Sequence, residues 1–219
     1  MRSDSDIRRD VEEELRWDPA IEARDITVGV ENGIVTLMGH VPSFSQKWEA
    51  ERAAKRVAGV VAIVNDLEVR LPVLDQRPDI DIARDAVTAI QYTLPDAAEH
   101  IKAIVRDGVV TLEGHVEWNH QRQRAEEAVR RVRGIKGVVN GIQLMPKTAP
   151  APVEIKRNID DALRRSAALY ASRITVEADD GTVILTGTER SWRKREEAER
   201  IAWSAMGVTK VENRVAVSP

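Results

Sequence analysis

The stretch NGIVTLMGHV, residues 32–41, occurs three times in this 219-residue chain in slightly altered form. It returns as DGVVTLEGHV at residues 107–116 and as DGTVILTGTE at residues 180–189. Offsets of 75 and then 73 residues align the chain on itself without gaps inside the repeats. Three glycines and one asparagine recur each time in the pattern G-x5-G-x19-G-x5-N. Self-similarity at a fixed period indicates tandem copies of one structural unit.

The first half of each repeat predicts a helix followed by a β-hairpin. Ile7, Val11 and Leu15 are spaced four apart, which is typical of the buried face of a helix. Alternating apolar residues from Ile26 onward predict a strand. The Asn-Gly pair at residues 32–33 then predicts a two-residue hairpin turn, because both positions tolerate positive φ.

The second half predicts another helix and a third strand. Gly39 is expected to end the second strand or to form a bulge in it. A capping box of Ser43 and Gln46 predicts the start of helix two, and Gly59 is expected to be its C′ residue. Alternation over residues 63–69 predicts the closing strand, so the order is α-β-β-α-β.

We therefore predict an α+β protein of three tandem domains, each with a three-stranded mixed sheet packed by two helices. The boundaries are 1–72 (repeat 1), 78–146 (repeat 2) and 153–219 (repeat 3), and proline-containing linkers separate them. Repeat 3 has Thr188 and Glu189 where the other repeats have His-Val. Its second strand is therefore expected to end earlier.

Composition excludes several classes of function. A net charge of -3 provides no general attraction to nucleic acid, which is not an expected partner. The chain has no cysteine, so disulfides and thiolate chemistry are excluded. It contains no apolar run of about 18 residues and no signal-peptide pattern. We expect a cytoplasmic protein, or a periplasmic one only if a leader has been trimmed.

Catalytic chemistry is not predicted. Nucleophile-elbow, zinc-protease and phosphate-loop motifs are missing from the sequence, so we expect no enzyme, cofactor or metal. Of the four histidines, His40, His115 and His120 fall near strand-to-helix loops, and the histidines are expected to be surface or half-buried loop residues. Asn65, Asn140 and Asn213 recur on the inward face of strand three. They are expected to bond the loop after helix two, with a ligand or ion contact as the alternative.

Tryptophan is the most informative residue type, since it accounts for five of only eight aromatic residues. Trp48 and Trp203 fall opposite the predicted apolar stripe of helix two. Trp118 and Trp192 lie just before that helix, and basic residues accompany them. The predicted binding surface for lipid or a partner comprises Trp48, Trp118, Trp192, Trp203, Arg122, Arg124, Arg193 and Lys194.

Three interpretations of these tryptophans stay open at this point. They pack against a neighbouring repeat or another subunit, they contact a membrane or lipid surface, or they bind another protein or ligand. Interleaved glutamates make the helix mixed-charge rather than polybasic. A solvated face with pairs such as Glu51 and Lys55 is the simplest alternative for its charges.

On the α-β-β-α-β order, NGIVTLMGHV, the Gly59 stop and the VNDLEV strand, the chain resembles a tandem of BON domains, named for bacterial osmotically induced and nodulation proteins. The resemblance implies a non-enzymatic protein associated with osmotic stress, envelope integrity and phospholipid interaction. The predicted partner is a phospholipid surface or an envelope-associated protein, contacted weakly by several domains. A self-assembling homo-oligomer with repeat faces as subunit contacts is the alternative.

Overall fold

A computed structural model of the protein describes residues 2–167, 169 and 173–217. Six α-helices are present in this part of the chain: α1 Asp4–Trp17, α2 Phe44–Arg56, α3 Asp79–Thr93, α4 Asn119–Arg130, α5 Pro152–Arg165 and α6 Trp192–Trp203. The strands are β1 Ile26–Glu31, β2 Ile34–Val41, β3 Ala62–Val69, β4 Ile101–Arg106, β5 Val109–Val116, β6 Gly137–Asn140, β7 Gln143–Leu144, β8 Arg173–Asp179, β9 Thr182–Glu189 and β10 Lys210–Val217. Two compact units form, Met1–Val116 with Gln121–Gln143, and Glu117–His120 with Leu144–Pro219.

Each repeat has the predicted α-β-β-α-β order and a mixed sheet with the second strand in the centre. The orders are β1-β2-β3, β4-β5-β6 and β10-β9-β8, and the short β7 also pairs with β5. The hairpin makes the first two strands antiparallel. Helix two then carries the chain back, so the third strand pairs in parallel with the second. The predicted fold class is confirmed.

The helices cover one face of each sheet and bury a core there. In repeat 1, Val35 and Leu37 of β2 have no exposed surface and share one apolar cluster with Ala50 of α2. The predicted stripe of helix one, Ile7, Val11 and Leu15, is buried, and so are the equivalent residues of the other repeats: Ile82, Ala86, Ile90, Ile155, Ile159 and Leu163. The four-residue spacing therefore identified the buried stripe correctly in every repeat.

The hairpin turns have the predicted left-handed geometry. Asn32 and Gly33 have φ values of 51° and 75°, and the equivalent residues of the other repeats are similar. The Asp4 carboxylate of α1 accepts hydrogen bonds from both turn N–H groups, at 2.8 and 2.9 Å. Asp79 makes the same two bonds in repeat 2. In repeat 3 the equivalent position is Pro152, which has no side-chain acceptor.

Two predictions about the second strand are wrong. Gly39 does not end the strand, because β2 continues to Val41 with unbroken pairing. Its φ of 110° instead lets the backbone carbonyl of Asp25 approach closely. In repeat 3, β9 also runs its full eight residues, and Glu189 is buried with 4% exposure where the other repeats have valine. A carboxylate replaces an apolar side chain there without shortening the strand.

Two predictions about helix two also need correction. Ser43 accepts a hydrogen bond from the Gln46 N–H at 3.2 Å, as expected for an N-cap. The Gln46 side chain, however, accepts from the N–H of Glu22, so the reciprocal half of the capping box is not made. Helix α2 ends at Arg56 with Val57 as its C-cap, so Gly59 is the C″ residue and not the predicted C′ residue.

Replacing Gly39 with alanine should destabilise repeat 1 by about 3 kcal/mol or more, since backbone strain and overpacking add together. A Cβ at Gly39 would lie 2.0 Å from the Asp25 carbonyl oxygen. The matched control is Gly29→Ala in β1, where the nearest atom is 3.6 Å away, an ordinary contact. Thermal unfolding followed by circular dichroism measures both. Equal melting of the two variants would contradict this account of Gly39.

Candidate binding surface

The asparagine of strand three has a structural role in repeat 1. The Asn65 amide donates to the Lys47 carbonyl oxygen at 3.1 Å and to the Glu51 carboxylate at 3.2 Å. Its side-chain oxygen accepts from the N–H of Leu67 at 3.4 Å. One side chain thus joins helix two to the closing strand.

The other repeats have the same three hydrogen bonds of the strand-three asparagine, which we call the asparagine clasp. Asn140 donates to the carbonyl of Arg122 and to Glu126, both at 3.1 Å. Asn213 donates to the carbonyl of Arg195 and to Glu199, both at 3.0 Å. The contact is therefore with helix two itself, and the predicted contact with the loop after that helix is wrong. Both amide hydrogens are engaged within the fold, which favours the structural interpretation over a ligand contact.

The clasp keeps its glutamate ionised. Burial tends to raise the pKa of Glu51, but the Lys55 ammonium at 3.0 Å and the Asn65 amide outweigh burial and lower it. Lys47 on the same helix adds attraction from a second positive charge. The charged pairs on this face of helix two therefore support the fold, as expected for pairs four residues apart.

The predicted tryptophans are half-buried rather than exposed. Trp48 lies in the first unit under two guanidinium groups, with Arg130 3.9 Å and Arg52 4.6 Å from the ring centroid. Arg130 comes from helix α4 of repeat 2, is only 9% exposed and forms an ion pair with Glu126 at 2.8 Å. This geometry corresponds to packing against a neighbouring repeat, one of the three interpretations of the tryptophans.

In the second unit, Trp203 packs against the apolar core of repeat 3, so its expected position opposite the core is wrong. Trp118 and Trp203 line a small pocket together with Asn119, with room for about one water molecule. Trp192 is the first residue of α6 and does not lie just before helix two as predicted, and its indole N–H donates to Glu196 at 3.1 Å.

The predicted basic residues divide into two groups. Arg122 is half-buried, and burial lowers the pKa of its guanidinium. The equivalent residues Lys47 and Arg195 donate to carbonyl groups of strand three, so this position supports the fold. Arg124 and Arg193, by contrast, are exposed.

Lys194, the last predicted basic residue, is half-buried and lies 3.9 Å from the buried Glu189 carboxylate. Of the eight predicted residues, only Arg124 and Arg193 are therefore fully available at the surface. The other six are half-buried.

Two exposed aromatic residues are missing from the sequence prediction. Trp17 ends helix α1 and is 84% exposed, and Tyr92 in the last turn of α3 is 92% exposed. They occupy the same position in repeats 1 and 2, 75 residues apart. Comparison of the repeats outside helix two would have identified them, because neither belongs to the apolar stripe of its helix.

Three of the four histidines are not the loop residues that the sequence predicts, because His40 and His115 lie in β2 and β5 and His120 lies in α4. His100 and His115 stack with ring centroids 4.8 Å apart, and His40 lies 3.6 Å from the Asp25 carboxylate. Among residues 2–167, 169 and 173–217, no group of three or more histidine, aspartate or glutamate residues is arranged to hold a metal ion. In the same residues, no helix has the length and apolar character needed to cross a bilayer.

The packing of Trp48 can be tested by a double-mutant cycle with Arg130. We expect Trp48→Leu and Arg130→Met to be coupled by about 1 kcal/mol in unfolding free energy, the range of a partly desolvated cation–π contact. Arg52→Met is the matched control, since Arg52 lies farther from the ring and is more exposed. Additive effects of Trp48→Leu and Arg130→Met would show that this contact does not stabilise the first unit.

The lowered pKa of Glu51 gives repeat 1 a defined response to acid. The ionised Glu51 carboxylate makes its full contribution to the free energy of unfolding above the unfolded pKa of 4.5. This contribution is lost as the pH falls through the lower pKa of the folded state. The stability difference between wild type and Glu51→Gln should therefore shrink as the pH falls from about 7 to about 3. Unfolding free energies across this range measure it, with Glu13→Gln on the exposed face of α1 as the charge control. A difference that stays constant down to pH of about 3 would contradict the argument.

The comparisons with known proteins agree with the fold. The model of the BON domain matches residues 3–70, 79–146 and 153–219. The chain is 33% identical over 148 residues to Osmotically-inducible protein Y of Escherichia coli (strain K12), covering 64% of this chain and 72% of that protein. It is 50% identical over 46 residues to the Uncharacterized protein in gshII 5'region of Anaplasma centrale, covering 21% and 30% respectively.

Among solved structures, the C-terminal domain of CdsD, a structural protein of the type III secretion system of Chlamydia trachomatis, aligns over the full length of both chains. The sequence identity is 15% and the TM-score is 0.27. The match to the BON family extends over nearly all of the chain in three consecutive segments. The protein belongs to the BON-domain family and consists of three BON domains in tandem.

Proposed function

We propose that the protein is a non-catalytic binding protein of the osmotic or envelope stress type, attaching to phospholipid surfaces through several weak contacts. The similarity to Osmotically-inducible protein Y supports the stress-related part of this proposal. The family match names no reaction, and the sequence carries none of the catalytic motifs considered above.

The observation that carries the lipid contact is the pair Trp17 and Tyr92. Both side chains are almost fully in water, at 84% and 92% exposure, at one shared position of the repeat. Tryptophan and tyrosine have an apolar body and a polar tip, and they concentrate at membrane–water interfaces for that reason. Exposed aromatic side chains that the core does not use are suited to contact with such an interface.

Exposed arginines add an electrostatic component. Arg190 and Arg193 are exposed at the start of α6, and Arg124 is exposed on α4. Each arginine near an anionic membrane surface contributes about 1 kcal/mol of attraction. Glutamates of the same helices reduce this attraction, so each domain alone would bind weakly. Three domains joined by short linkers gain affinity by acting together.

The proposal is tested by co-sedimentation with vesicles of phosphatidylcholine and phosphatidylglycerol. Trp17→Ala with Tyr92→Ala should weaken vesicle binding at least about tenfold, because each aromatic contributes roughly 1 kcal/mol at the interface. Wild-type binding should also weaken as salt is raised, since part of the attraction is electrostatic.

The matched control replaces two exposed aliphatic residues at the other end of helix one. Ile80→Ala with Val153→Ala alters residues that are 68% and 78% exposed at a shared position in repeats 2 and 3. This control should bind vesicles like the wild type. Failure of the wild type to bind vesicles, or equal binding by the aromatic double variant, would reject the lipid proposal and direct attention to an envelope-associated protein.

A further inference from the structure

The faces of the sheets that no helix covers are apolar in repeats 1 and 2. Along β2, alternate residues such as Ile34 and Met38 point away from the core. The equivalent face of repeat 2 is built in the same way from β4, β5 and β6. The large apolar residues of the two faces are between 36% and 54% exposed: Ile34, Met38, Val64, Ile104, Val109 and Val139.

The strand register makes these residues neighbours. In repeat 2, Ile104 pairs with Thr111, which pairs with Val139, so one cross-strand row carries two exposed apolar side chains. In repeat 1, Thr36 pairs with Val64 in the equivalent row, and Ile34 and Met38 flank that row on β2. Each repeat thus has one apolar patch in the centre of an open sheet, the kind of surface that marks an interaction site.

The charges around the patch of repeat 1 are mainly acidic. Glu31 and Asp66 are exposed on this face, and neither makes an ion pair in the part of the chain that the structure describes. Glu68 is also acidic, but Arg70 lies 2.7 Å from its carboxylate. The two unpaired carboxylates leave the rim of repeat 1 negative.

The charges around the patch of repeat 2 are mainly basic. Lys102 and Arg106 of β4 are exposed on the same face as Ile104. Among the described residues neither of the two forms an ion pair, although Glu113 is the cross-strand neighbour of Lys102. The two open faces therefore combine similar apolar centres with opposite rim charges, the complementarity that specific interfaces use.

Repeat 3 lacks such a patch. Its central row holds Glu177 and Glu212 on either side of Ile184. Glu212 also forms ion pairs with Lys210 at 2.7 Å and with Arg214 at 2.6 Å. Charged side chains on an open sheet oppose association. The third open face is therefore a control within the same molecule.

We infer that the protein associates with itself by packing the open face of repeat 1 in one molecule against the open face of repeat 2 in another. Burial of the two apolar patches would supply the attraction. The opposite charges of the two rims would determine that a repeat 1 face binds a repeat 2 face. Contact between two faces of the same kind is disfavoured, because it brings like charges together. This inference is independent of lipid binding, and mass measured without vesicles tests it separately.

The test uses charge reversal and light-scattering mass on the full chain. Wild type should exceed the monomer mass of 24.5 kDa at low salt and approach it as salt is raised. Glu31→Lys with Asp66→Lys makes both faces basic, and Lys102→Glu with Arg106→Glu makes both acidic. Each double variant should be monomeric alone. Circular dichroism confirms that each remains folded, as expected for exposed strand positions.

Mixing the two monomeric variants provides the decisive measurement. Every repeat 1 face then meets a repeat 2 face of opposite charge on the other variant, so the mixture should regain the wild-type mass. Glu177→Lys in repeat 3 is the matched control and should leave the mass unchanged. Val64→Thr with Val139→Thr should weaken wild-type association, because it removes apolar surface with little change of shape.

Three outcomes would overturn the inference. The first is a wild type of monomer mass at all salt concentrations. The second is association that survives either charge reversal, which would locate the contact elsewhere. The third is a mixture of the two folded variants that stays monomeric.

Discussion

The hydrogen bonds of the strand-three asparagine are the interaction on which each repeat depends. A domain of about 65 residues buries only a modest core, so its layers need specific ties as well as apolar contact. Asn65 satisfies two acceptors on α2 and one donor on β3 at once, and the other repeats reproduce all three contacts. The recurrent glutamate of helix two follows from the same contact, because it must accept the asparagine amide. A ligand at this asparagine would have to replace bonds that hold the sheet to the helix.

The sequence predicts the core and topology well because both rest on local periodicity and turn chemistry. Four-residue spacing identifies the buried face of helix one, and Asn-Gly or Asp-Gly requires the left-handed turn that is observed. The end of α2 and the length of β9 are harder to predict, because they depend on contacts between elements. Buried Glu189 shows this, since an acidic residue at a core position still completes the strand pairing.

The candidate site could be predicted only in part, for a physical reason. The helical angle of Trp48 predicts that it points away from the core of its own repeat. The angle does not predict where Trp48 lies relative to Arg130 of the next repeat. A side chain that points away from one core is available to pack against a neighbour, so helical angle alone does not establish exposure. Trp17 and Tyr92 are exposed because each follows the last buried residue of its helix, Leu15 or Ile90, by two positions and so lies on the opposite face of the helix.

The repeats share most of the contacts that hold the fold together and differ in the charges of their open sheet faces. The asparagine clasp, the glycines of positive φ and the stripe of helix one are alike in all three repeats. The open sheet faces differ, with acidic, basic and ion-paired rims in repeats 1, 2 and 3. Three identical domains could multiply one weak contact, whereas domains with different faces can also distinguish one partner from another. Their order along the chain then determines which surfaces a single molecule presents together, a property that no single domain has.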